Sequence, residues 1–164
     1  MLRGDITLTD RVGGYGRIRE ALEHLDGLYV KVGFPQESKP GQPDSPKGKP
    51  ATEMSEVATI AAFHEFGTAR IPERPFFRQA LDGNREDLKK FIDNQYSNVM
   101  SGKQSTTDGL ERIGQFLSSK IKGSIRNGNF EPLAESTVGS KGSSKPLIDT
   151  GQMINSVTYV VAEE

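Results

Sequence analysis

His64 and Glu65 stand side by side in "AAFHEFGTARIPERPFFRQAL" (residues 61–81), and a histidine followed by a glutamate on a helix is half of a zinc-hydrolase motif. The complete motif needs a second histidine four residues on, so that two imidazoles share one helix face; position 68 is Thr. The other histidine, His24, lies in a different segment. With no cysteine in the chain, thiol nucleophiles, disulfides, zinc fingers and iron–sulfur clusters are excluded together. "GGYGRI" (13–18) lacks the last glycine of a dinucleotide-binding turn, and "SGKQS" (101–105) has Gln104 where a phosphate loop needs Ser or Thr. No serine occupies a G-x-S-x-G elbow. The paired carboxylates Glu53/Glu56 and Glu86/Asp87 belong to polar helix faces that meet water. The expectation is a protein that is not an enzyme, with no catalytic residue, no cofactor and no metal; a nuclease-like or metal-dependent enzyme using His64 and Glu65 is the rival.

Composition narrows the class further. Apolar residues make up 34%, with 18 Gly and 9 Pro, which predicts a modest core and long loops. Twenty-one Lys+Arg against 22 Asp+Glu give a net charge of −1, unlike the strongly basic footprint of a dedicated nucleic-acid binder. No window reaches the length of an apolar membrane span and "MLRGDITLTD" lacks a signal-peptide core, so a chain made in the cytoplasm and away from membranes is expected. Residues 1–164 suit one domain.

The elements that would position the 61–81 stretch follow from periodicity. "GRIREALEHL" (16–25) has helical spacing, and "LYVKVGF" (28–34) alternates as a strand. "PQESKPGQPDSPKGKPAT" (35–52) carries five prolines and no large apolar residue, the composition of a flexible exposed loop. "MSEVATIAAFHEF" (54–66) reads as a helix with Val57, Ile60, Ala61 and His64 on one face and Gly67 as its left-handed cap. Pro72 and Pro75 hold "TARIPERP" extended. A long helix over 76–100, bent or interrupted at Gly83, precedes another begun by Thr107 or Asp108 and ended by "RNGN" (126–129). A helical turn near 151–156 and a strand over 156–162 complete the chain. The fold class is α+β: an antiparallel sheet that includes 28–34 and 156–162, two long helices packed on one face, and long extended loops.

Phe63, Phe66, Phe76 and Phe77 cannot all enter one small core, and Arg70, Arg74 and Arg78 add planar, multidentate donors; aromatic residues with arginine are what interface centres favour. "HEFGTARIPERPFFRQAL" resembles the pattern "hEfGt...iPaRPFlrpa" of the tail-completion and neck proteins of tailed bacteriophages, the family of minor tail components. "FEPLAESTVGSKGSSKPLIDTGQMINSVTYVV" (130–161) is similar to that family's "w.pLs..T...K....pLidTG.L..Si.y.v", shared with virion morphogenesis proteins of Mu-like phages. Together they cover about half of the chain; Phe130 stands where tryptophan is common, Met153 where leucine is, and the 35–52 loop is longer.

The resemblance implies a structural virion protein of the neck or head-proximal tail end, completing or capping the tail tube or joining tail to head. It implies a homo-oligomeric ring, a hexamer being one form, beside tail-tube, tail-terminator or head-completion and connector proteins, with DNA passing through the lumen. The expected location is the virion, after synthesis in the bacterial cytoplasm. The alternative is an assembly chaperone absent from the finished particle. The expected interface residues are Gly67, Arg70, Ile71, Pro72, Arg74, Pro75, Phe76 and Phe77 in the first motif, and Leu147, Asp149, Thr150 and Gly151 in the second. A conformational role is also expected here, with Asp149 or Thr150 as the cap of the following helical turn.

Overall fold

The computed structural model describes residues 27–35, 54–133 and 144–163 throughout, together with Gly16, Arg19, Ala21, Glu23, Glu135, Val138 and Gly139. Alternating β-branched residues build β1 (Leu28–Gly33), which pairs antiparallel with β2 (Thr158–Glu163), Leu28 opposite Glu163 and Gly33 opposite Thr158. Between them run α1 (Met54–Phe66), α2 (Phe76–Asp82), α3 (Arg85–Met100), α4 (Thr106–Asn127) and the short α5 (Gln152–Ser156). This is an α+β fold with α4 lying against the sheet, α3 packed on α4, and α2 beside both α1 and α4.

Small residues let α4 sit so close to the sheet. A Cβ on Gly114 would come within 2.6 Å of the Tyr159 ring, so only glycine admits this approach without a shift. The last two turns of α4 carry Ile121 and Ile125 into the core, where they meet Ala61 of α1, Phe76 and Ala80 of α2, Leu147, Ile154 and Val157. At the other end α3 is held on α4 by the stacked rings of Phe91 and Phe116, 4.5 Å between centroids.

The interruption expected at Gly83 in the helix over 76–100 is found, and Asn84 completes the break: it leaves helical geometry at φ −122, and its Nδ2 donates to the Ala80 carbonyl at 2.9 Å. That side-chain bond competes with the backbone ladder and ends α2. The N-cap of α4 is Ser105, neither Thr107 nor Asp108. Ser105 accepts from the Asp108 N–H at 3.0 Å, and the Asp108 carboxylate accepts from the Ser105 N–H at 3.3 Å, a reciprocal capping box. Ile60, expected on the buried face of α1, is 45% exposed. The loop expected at 35–52 lies, apart from the buried Pro35, outside the described residues; of the helix expected at 16–25, Gly16, Arg19, Ala21 and Glu23 are helical.

Gly114→Ala should lower stability by about 1–3 kcal/mol, the usual cost of overpacking, read as a reduced urea midpoint. The hydrogen bonds from Ser105 hold the Asp108 carboxyl below the usual carboxylate range. Its contribution to stability is therefore full above the unfolded value near ~3.9 and is lost as pH falls through the lower folded value. The stability gap between the native chain and Asp108→Asn should stay constant at neutral pH and shrink in acid below about pH 4.

Candidate functional site

Between α1 and α2 the chain must turn back within nine residues that include two prolines, and a short turn of this kind leaves the end of one helix and the start of the next without backbone partners. Gly67, at φ +72, makes the left-handed exit from α1; a Cβ there would press to 3.1 Å from the Glu73 amide nitrogen. Thr68 closes the loop on itself, its Oγ1 accepting from the N–H groups of Arg70 and Ile71 while its own N–H donates to the Ile71 carbonyl at 2.8 Å. The Arg74 N–H then returns to the His64 carbonyl at 2.7 Å.

Glu65 completes the turn from the other side. The residue before α2 is Pro75, which has no side-chain acceptor to offer, yet all four leading N–H groups of α2 are satisfied. Phe76 donates to the Arg74 carbonyl across an inverse γ-turn at Pro75 (φ −77, ψ 63), and Gln79 donates to the Pro75 carbonyl. The two between go to one carboxylate: Phe77 N–H to Glu65 Oε2 at 2.8 Å and Arg78 N–H to Glu65 Oε1 at 3.1 Å. The Arg78 guanidinium grips the same residue, Nε to Oε1 at 3.0 Å and Nη2 to the Glu65 carbonyl at 2.7 Å, and reaches Glu73 Oε1 at 2.6 Å. Glu65 first, then Glu73, hold Arg78 above the ordinary arginine range. Both Glu65 oxygens are thus engaged with donors. Among the described residues no three of His, Asp and Glu gather as a metal-binding group.

The second motif forms the opposite wall. Gly151, at φ 75, is the N-cap of α5, and Thr150 Oγ1 accepts from the Gln152 N–H at 3.3 Å. Thr150 therefore does contribute to capping, as a neighbour of the N-cap. Val57, Ile60 and His64 of α1 face Pro146, Leu147 and the 149–153 segment across a cleft of about 280 Å³. The second motif thus shares one depression with α1 and, from the first motif, with His64.

The expected interface residues divide. Arg70 and Asp149 are exposed, and Gly67, Ile71, Pro72, Pro75, Phe77 and Thr150 are half-buried. Arg74, Phe76, Leu147 and Gly151 are corrected: all four are buried within the chain, Phe76 at 1% and Arg74 at 3% exposure. Phe76 and Leu147 belong to the core. Arg74 is enclosed because its Nε donates to the Glu131 carbonyl at 3.3 Å and its Nη1 lies 3.5 Å from His64 Nδ1. Burial lowers its guanidinium from the ordinary value, with the Glu131 charge opposing. The sequence left open which of the four phenylalanines stay outside the core: on the outer face of α1, Phe63 is 46% and Phe66 70% exposed beside Ile60. The signal was there: apolar residues at 57, 60, 61, 63 and 66 surround this helix and cannot share one buried face.

No protein-family model matches this chain, and comparison with curated proteins and with solved structures gave no match.

Glu65→Ala removes the acceptor of two helix-leading N–H groups and should cost about 1–3 kcal/mol, the penalty of stranding buried donors. Glu65→Gln keeps one acceptor and should cost less, and Arg78→Ala, on a half-exposed, solvent-screened side chain, should cost least. Thermal melts check the order, at about 2–4 °C per kcal/mol for a chain of this size; Arg78→Ala proving the worst of the three would overturn the capping account.

Proposed function

We propose that this chain is a structural virion protein of a phage neck or head-proximal tail end, completing or capping the tail tube or joining tail to head as part of a ring. The observation that carries the reading is that His64, which opens the segment resembling the first motif of tail-completion proteins, faces the Pro146–Met153 part of the second across one cleft. Each is occupied with backbone shape: Glu65, Gly67 and Thr68 lock one turn, Thr150 and Gly151 the other. A protein whose distinctive residues set the shape of two adjoining loops suits a building block, which must offer neighbours a fixed surface.

Of the arginines in the first motif, Arg74 is buried and Arg78 is bound to Glu65 and Glu73, whereas Arg70 is exposed. Contact with DNA in the lumen therefore falls to Arg70 within this motif. Tail-tube, tail-terminator and head-completion or connector proteins are the neighbours this role supplies.

The test is the protein content of purified particles of the encoding phage. Quantitative mass spectrometry should find the chain at the copy number of one ring, and particles lacking it should fail to join heads to tails. Presence on assembling tails with absence from finished particles would establish the chaperone role instead. Absence from both would reject the virion reading.

A further inference from the structure

Among the described residues six large apolar side chains are exposed, and five of them form two groups: Ile60, Phe63 and Phe66 on α1, and Ile92 and Tyr96 on α3. The first group is a ridge. Its members are three residues apart, so at about 100° per residue they fall within one arc of about 120° on the side of α1 away from buried Ala61. The second group borders a groove of about 170 Å³ between α3 and α4, walled also by Val99, Leu110 and Ile113. One feature is convex and the other concave, and both are apolar.

Their placement matters as much as their shape. α1 packs at the core end of α4, near Ile121 and Ile125, while the groove opens over its first two turns, from Thr106 to Ile113. Leu110 and Ile125 are about 22 Å apart along the helix axis at ~1.5 Å per residue. A contact of ridge with ridge would leave every groove open, whereas ridge into groove covers both features with a single contact. Opposed, unlike faces on one chain give a head-to-tail association, which makes a ring when the rotation per copy closes. A net charge of −1 sets up little repulsion between copies.

We infer that the occupant of the α3–α4 groove is a second copy of this chain, which inserts the Ile60/Phe63/Phe66 ridge of its α1 and so links subunits head to tail. The inference rests on the ring reading above and assigns its subunit contact. Phe66 enters with one ring face already held by the Arg78 guanidinium, 5.4 Å from the ring centroid, so the corner fixed by Glu65 also orients the ridge.

Complementation between two variants tests it, using Phe63→Asp on the ridge and Tyr96→Asp in the groove, both at exposed positions. Light scattering, alone and with the tail-tube protein, should give an oligomer for the native chain and a monomer for either variant. An equimolar mixture should give a dimer that stops at two, since one sound ridge and one sound groove remain. Ile60→Asp with Ile92→Asp repeats the experiment should either first variant fail to fold by circular dichroism. The chain has no native cysteine, so Phe63→Cys mixed with Tyr96→Cys should form an intermolecular disulfide, and Phe63→Cys alone should not. Oligomers unaffected by both aspartates, or broken by the ridge variants only, would overturn this contact and leave the ring reading standing. A native chain that stays monomeric alone and with the tube protein would overturn both.

Discussion

One carboxylate governs the geometry of this protein. Glu65 belongs to α1 by sequence and serves α2 by its hydrogen bonds, taking the N–H groups of Phe77 and Arg78 that Pro75 leaves without a local acceptor. A carboxylate at a helix N-terminus satisfies donors and opposes the positive end of the helix dipole at once. Fixing the start of α2 fixes the direction in which Phe76 and Ala80 enter the core, against Ile121 and Ile125 of α4. The same carboxylate holds Arg78, whose guanidinium lies over Phe66. Core placement and the exposed aromatic surface are thus set by a single residue.

Much of this was legible in the sequence because it rests on local rules. The α+β class, the two strands, the start and end of α1, the left-handed Gly67 and the helical turn after Gly151 follow from periodicity and from glycine and proline chemistry. What was not legible depends on partners distant in sequence or on choices between near-equivalent residues. Nothing local marks Glu65 as the cap of another helix, because the acceptor and its donors are separated by the whole 67–75 loop. Ser105, Thr106, Thr107 and Asp108 all suit an N-terminus, and only the reciprocal pair of bonds selects Ser105.

The arginines show the limit most plainly. Arg70, Arg74 and Arg78 look alike in sequence, yet one is exposed, one is buried and one is bound by two carboxylates. A buried guanidinium needs several acceptors to offset its lost hydration, and those of Arg74 come from α1 and from Glu131. Residue type gave the chemistry of the stretch, while its assignment to surface or interior depended on where the loop crosses the helices.

The pairing of β1 with β2 carries a further consequence, for the order of events during synthesis. Val30 faces Val161, so the first strand emerges from the ribosome long before the second exists. Contacts of such sequence separation form late, since the chain between must first be brought together. Until then the sheet-facing side of α4, with Gly114 shaped to receive Tyr159, has nothing to rest on. α1, α2 and α4 precede β2 in the chain, whereas Leu147, Ile154 and Val157 of the core arrive with the closing segment. Completion of the fold therefore waits on translation of β2, and a finished surface cannot form before that strand has emerged.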